Sequence, residues 1–177
     1  MKLGEIKTLD IANGAGIRVS VFVSGCTHRC EGCFNAEAWD FNFGKEYTKE
    51  IEDYIVEELK KDYHDGISFL GGEPLELPNQ SGVLQLIRRV AQECPNKDIW
   101  LWTGYTLESD LLNQNSRIYS KELQEILSYV DILIDGEWKA SLYDAALQFR
   151  GSSNQRVIAL KETLKTGKVV IWDDLIR

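Results

Sequence analysis

The sequence has no apolar run near the roughly 20 residues that a membrane-crossing helix needs, which sets aside an integral membrane protein. Its opening residues, Met1 to Lys7, lack the apolar core of a secretory signal peptide. Cysteine is scarce: there are four in 177 residues, three of them clustered, unlike the disulfide framework of a secreted domain. A reducing, cytoplasmic compartment is the expectation. Basic residues are outnumbered, 20 Lys and Arg against 28 Asp and Glu. They form no block that could track a phosphate backbone against a net charge of −8, so nucleic acid is a poor partner. Repeats and low-complexity segments are missing as well. With 44% hydrophobic and 27% charged residues, the composition is that of a soluble globular protein, long enough to bury its own core as a single domain over residues 1–177.

Against that background, Cys26-Thr27-His28-Arg29-Cys30-Glu31-Gly32-Cys33 gathers three thiols. Soft thiolates this close suit an iron–sulfur cluster or zinc, because each carries a charge that a metal neutralises. A closed structural site takes four protein ligands, so three leave one metal position open for a small molecule. The competing reading is a structural zinc site completed by His28 or Cys94, and spacing leaves both open. Cys94, at a predicted helix end before Pro95, otherwise fits an inert packed thiol.

Along the chain, Asn13-Gly14-Ala15-Gly16 is a turn signal. It feeds a strand, Ile17 to Val23, whose odd-numbered residues share one face. Periodicity disappears from Ser24 to Tyr47, a long loop that a bound metal would order. Thr48 opens a helix with Ile51, Tyr54, Ile55 and Leu59 on one side. A strand, Ile67 to Leu70, then runs into Gly71-Gly72-Glu73-Pro74. Ser81 is the expected cap of a second helix, carrying Val83, Leu84, Leu86, Ile87, Val90 and Ala91 and ended by Pro95. Asp98 to Thr103 is a third strand, a helix follows on Leu123, Ile126, Leu127 and Val130, and Asp131 to Gly136 holds a fourth strand. Ser141 to Phe149 is expected to be helical, Arg150 to Asn154 a loop, and Val157–Leu160 and Val169–Trp172 strands. Trp100 and Trp172 belong in the core. Such alternation implies an α/β fold with a parallel sheet and right-handed crossovers, its functional loops at the strand C-termini. Cys26, Gly71-Gly72, Gly104 and Gly136 all fall there.

In the Gly71-Gly72-Glu73-Pro74 turn, two glycines let backbone approach a ligand closely and leave carbonyls free for an ammonium, while Glu73 adds charge complementarity. Together with Cys26-x-x-x-Cys30-x-x-Cys33, this turn resembles the radical S-adenosylmethionine superfamily. More narrowly, Asn13 to Arg18, Gly25 to His28, Gly32 to Asn35, Trp102 to Thr106, Leu133 to Gly136 and Phe149 to Gln155 resemble the glycyl-radical activases that serve anaerobic ribonucleoside-triphosphate reductase. The departures are Ala15, where related activases usually carry proline, and Gly32, where the superfamily often has an aromatic. Asn113 to Tyr119 exceeds the family's length and reads as a surface insertion.

The resemblance implies a partial, open parallel β/α barrel of the radical S-adenosylmethionine type. It implies a [4Fe–4S] cluster on Cys26, Cys30 and Cys33, with S-adenosylmethionine chelating the fourth iron. Gly32, Cys33 and Phe34 are expected to border that molecule, and Gly71, Gly72 and Glu73 to meet its amino end. Asp135 and Thr103 are secondary candidates for its ribose or carboxylate, with turn capping as the alternative. No side-chain acid or base is required. The implied partners are the large subunit of anaerobic ribonucleoside-triphosphate reductase, as protein substrate, and an electron donor such as a flavodoxin. Arg150 to Gln155 suit either partner recognition or local loop bonding. Two alternatives stand beside this reading: a pyruvate formate-lyase-type activase or other small radical S-adenosylmethionine enzyme, and a zinc-stabilised binding module without chemistry.

Overall fold

The computed structural model describes residues 1–172; positions 173–177 lie outside the described residues. Seven strands form one open sheet: β1 (Lys2–Asp10), β2 (Arg18–Val23), β3 (Lys45–Glu46), β4 (Gly66–Gly71), β5 (Asp98–Trp102), β6 (Ile132–Asp135) and β7 (Arg156–Ala159). Their order is β3-β1-β2-β4-β5-β6-β7. The central four, β2, β4, β5 and β6, are parallel, as the strand–helix alternation requires. β1, β3 and β7 are antiparallel additions at the two sides, so the sheet is mixed and not parallel throughout. It does not close into a barrel.

Side-chain alternation divides the sheet into two faces. Val19, Val21, Ile67, Phe69, Ile99, Leu101, Leu133 and Ile158 point to the helix side, where they pack with α1 (Lys49–Leu59), α2 (Leu77–Glu93), α3 (Lys121–Tyr129) and α4 (Leu160–Thr166). The other face carries Trp100, Ile132, Ile134 and Val157, covered by Ala15, Trp102, Phe149 and Trp172 with no helix. Trp100 is buried there as expected and Trp172 is half-buried against it, their rings 5.0 Å apart and edge-on. Among the described residues no helix is long and apolar enough to cross a membrane.

Several elements depart from the sequence reading. α2 begins four residues before Ser81, with Pro78 in its first turn, where a missing N–H costs nothing. Ser81 lies inside the helix. In α1, Thr48 caps as expected, but Tyr54 points outward and Val56 joins Ile55 and Leu59 in the core. Ser141 to Phe149 forms no helix beyond a short 3-10 turn, Ala140–Leu142. Most of that stretch is exposed, with no apolar face to bury, and Phe149 sits at φ 59, which a right-handed helix cannot include. Val169–Trp172 is not a full strand: it meets β7 at one bridge, Ile158 to Ile171.

The turn before β2 is anchored by its own arginine. Arg18 is wholly buried and donates to Ser68 Oγ (2.7 Å), to the Ala15 and Ile67 carbonyls (3.0 Å each) and to Asp98. Its guanidinium also lies 5.1 Å from the Trp100 ring centroid. Burial lowers the Arg18 pKa and the Asp98 carboxylate pushes back, so the residue stays charged.

Candidate functional site

β2 delivers the chain to the cysteine loop, and backbone hydrogen bonds fix the loop's shape. Gly25 N–H donates to Ala38 O (2.8 Å) and Cys26 N–H to Trp39 O (3.2 Å), so the 3-10 turn Ala36–Trp39 folds back against the loop's start. Between them Arg29 (φ 52) and Gly32 (φ 73) adopt left-handed conformations, and Cys33 N–H closes onto Cys30 O at 3.1 Å. Gly71 and Gly72 then seat the end of β4 against this loop. Gly72 N–H donates to Val23 O (2.7 Å) and Glu73 N–H to Gly25 O (2.8 Å). A β-carbon on Gly72 would come within 2.8 Å of both Gly25 O and Ala38 O. The glycine pair is therefore needed for packing of backbone on backbone, in addition to lining the cavity.

Glu73 is fully buried beneath the loop. Its Oε1 accepts from Leu75 N–H (3.0 Å) and the Thr103 hydroxyl (2.9 Å), and its Oε2 from Gly104 N–H (2.8 Å). His28 Nε2 lies 3.2 Å from Oε2, close enough for an ion pair though not aligned as a hydrogen bond. The imidazole rests against Gly104 and Tyr105, with ring centroids 4.4 Å apart for the His–Tyr pair. Burial opposes its protonation, but the carboxylates of Glu73, Glu76 and Glu137 together outweigh burial and raise the His28 pKa. His28 is thus a wedge joining the cysteine loop to the end of β5.

A second clamp was hidden from sequence reasoning. Glu76 Oε1, buried, accepts from Thr27 N–H (3.0 Å), the Thr27 hydroxyl and the Tyr105 hydroxyl (3.1 Å). Arg117 crosses over them, donating to Thr27 Oγ1 (2.6 Å) and to Tyr105. Asn113 to Tyr119 is therefore not simply a surface insertion, since Arg117 braces the cysteine loop and Ile118 is buried in the helix-side core. The one available signal was that a helix-start carboxylate, Glu76, follows directly on the glycine turn.

A cavity of about 390 Å³ opens on the helix-free side. Its wall includes Cys26, Cys30 and Cys33 together with Gly71, Gly72 and Glu73, so the two sequence motifs meet in one place. Phe34 also borders it, almost fully exposed at the rim. Gly32 is packed beside it, against Trp138 and Ala140. Thr103 lines the cavity with its hydroxyl committed to Glu73. Asp135 does not line it: it accepts from Leu107 N–H (2.9 Å) and pairs with Arg156, which is the turn-capping alternative. In the Arg150 to Gln155 loop, Gln155 Oε1 accepts from Gly151 and Ser152 N–H, and Asn154 donates to Glu137 O, so local bonding shapes the segment.

The donor set fits an iron–sulfur cluster. All three thiols are free of disulfides and share the cavity. Burial, then Glu73, pushes the Cys26 thiol up to about 12, while burial and Glu137 push Cys30 to about 11. A bound cation would supply the missing stabilisation of the thiolates. Cys94 sits apart in the helix-side core, its pKa raised by burial. Among the described residues no group of three or more His, Cys, Asp or Glu is placed to hold a single metal ion.

Comparison with known proteins agrees with this geometry. A family model described as a 4Fe-4S single cluster domain matches residues 12–158, which take in the cysteine loop and all four parallel strands. The chain is 44% identical over 157 residues to the anaerobic ribonucleoside-triphosphate reductase-activating protein of Vibrio cholerae serotype O1, covering 88% of this chain and 96% of that one. It is 42% identical over 163 residues to the protein of the same name from Escherichia coli K12, covering 91% and 100%. The counterpart from Enterobacteria phage T4 is 39% identical over 157 residues, covering 89% and 93%.

Proposed function

Because this chain belongs to the family of anaerobic ribonucleoside-triphosphate reductase-activating proteins, a 4Fe-4S single-cluster family, we propose that it installs a glycyl radical on that reductase. In this reading Cys26, Cys30 and Cys33 hold three irons of a [4Fe–4S] cluster and S-adenosylmethionine occupies the cavity beside them. When bound, the pair would supply one-electron cleavage of the sulfonium to methionine and a 5′-deoxyadenosyl radical, which takes a hydrogen atom from a glycine of the reductase. The observation that carries the reading is the convergence of three free thiols and the glycine turn on one cavity, while the two other candidate ligands are engaged elsewhere. His28 is wedged against Glu73, and Cys94 is packed among helices.

The chain's own contribution is positional. Gly71 and Gly72 hold β4 against the cysteine loop, and Glu73, held by three protein donors with His28 beside its Oε2, fixes a carboxylate charge beneath the turn that would meet an ammonium. Gly32, Cys33 and Phe34 border the opposite part of the ligand. Trp39, Trp102 and Trp138 give the wall apolar surface that excludes water. No side chain acts as acid or base. The unclosed sheet supports a partial β/α barrel of the radical S-adenosylmethionine type, whose open side gives a protein substrate access. An external donor, such as a flavodoxin, provides the electron.

Anaerobic reconstitution followed by metal analysis and electron paramagnetic resonance tests the proposal. About four irons per chain, and a glycyl radical on the reductase only when S-adenosylmethionine and reductant are present, are expected. One zinc per colourless chain would overturn the cluster. A loaded protein that radicalises pyruvate formate-lyase and not the reductase would overturn the target.

A further inference from the structure

One charged group on the cavity wall has no assigned task. Arg150 is the only Lys or Arg among the described residues lining the cavity, and it makes no ion pair with any of them. Its Nε is buried without a hydrogen-bond acceptor. A buried guanidinium nitrogen left unpaired is costly, so such a group implies a partner supplied from outside the chain.

The backbone around it is built to hold it there. Phe149, immediately before, sits in the left-handed region at φ 59, and its carbonyl accepts from the Trp102 indole N–H at 2.7 Å. Its ring packs edge-on to Trp100, centroids 5.1 Å apart. On the other side, Gly151 N–H donates to Gln155 Oε1 at 3.0 Å, and a β-carbon on Gly151 would strike the Trp138 ring at 2.8 Å. Arg150 is thus presented from a turn fixed at both ends. Strain of this kind persists where the surroundings over-determine it, and it collects at ligand sites.

We propose that Arg150 is the carboxylate anchor of the cavity, pairing with the α-carboxylate of the methionyl group of S-adenosylmethionine. The assignment rests on the proposed function and adds a recognition element to it. A planar guanidinium fork matches a carboxylate in two parallel hydrogen bonds, which fixes orientation as well as adding affinity. With Glu73 on the same wall, the cavity presents charge of both signs to the amino-acid end of the ligand.

The test measures binding to the anaerobically reconstituted protein, with iron content and circular dichroism as controls. S-adenosylmethionine is compared with its decarboxylated analogue, which keeps the ammonium, sulfonium and nucleoside. Arg150→Met is expected to weaken S-adenosylmethionine by about ten- to a hundredfold and the analogue by less than about threefold. Arg150→Lys, which keeps the charge without the fork, should recover part of the loss, and it provides the same comparison if the methionine variant fails to hold iron. Equal weakening of both ligands, or unchanged affinity for S-adenosylmethionine, overturns the assignment. A parent protein that retains its cluster but binds neither ligand would instead refute the proposed function.

Discussion

Replacing Gly72 with alanine tests whether the glycine turn and the cysteine loop form one mechanical unit. Gly72 does not occupy a positive φ, so alanine is admissible for the backbone and the objection is purely one of space. The new methyl would lie 2.7 Å from Gly25 O and 2.8 Å from Ala38 O, both backbone atoms that cannot swing aside. Ordinary carbon–oxygen contacts begin near about 3.3 Å, so each carbonyl must retreat by about 0.5 Å. Overpacking of this kind costs about 1–3 kcal/mol, equivalent to a fall in Tm of roughly 2–12 °C for a chain of this size. The displaced Gly25 carries Cys26 with it, and about 0.5 Å is the tolerance within which a built site keeps its geometry. Gly72→Ala should therefore lower both Tm and iron content after reconstitution. Gly167→Ala is the matched control: Gly167 caps α4 at φ 70 with nothing within 4 Å of a β-carbon. Forcing alanine there costs about 1–2 kcal/mol without touching the site, so stability falls and iron stays. Equal iron retention in the two variants, or an unchanged Tm for Gly72→Ala, would refute the reasoning.

Three further outcomes are expected. Cys94→Ala should lose roughly 1 kcal/mol of packing in denaturant titration and keep its iron, whereas Cys30→Ala should lose the cluster. Arg18→Met should destabilise by roughly 2–4 kcal/mol in urea unfolding, because Ser68 and the carbonyls of Ala15 and Ile67 lose a charged donor. His64 is buried with neither ring nitrogen partnered, and burial lowers its pKa from 6.5. The unfolded chain then binds this proton before the folded one does. Stability should fall as pH drops below about 6.5, down to the lower folded value, and His64→Phe should flatten that slope between pH 7.5 and 5 in urea midpoints.

The parallel core of the fold was legible because β2, β4, β5 and β6 are short runs of apolar residues ended by turn signals. β1 was not. Its apolar residues Leu3, Ile6 and Leu9 recur every third position, Leu9 is exposed, and two register shifts interrupt the pairing, so the sequence of Lys2–Asp10 carries no period-two apolar pattern. The start of α2 was obscured because Glu76, which stands at the cap position, spends its carboxylate on Thr27 and Tyr105 instead of on its own helix. The cysteines and the glycine turn announced themselves by composition. Arg117 and Arg150 could not, because what distinguishes them is where distant segments bring them: one onto Thr27, the other unpaired onto the cavity wall. The wedge formed by His28 was equally invisible, because it depends on Gly104 and Tyr105 arriving beside it.

The division of the sheet into a helix-covered face and a helix-free face bears on what happens after damage. The large helix-side core contains no residue from 24 to 46, so the segment carrying the three thiols contributes nothing to it. A chain without the proposed cluster therefore keeps the part of the molecule that holds it together. If the proposed cluster is lost, refilling with iron and sulfide should restore the site without refolding the chain.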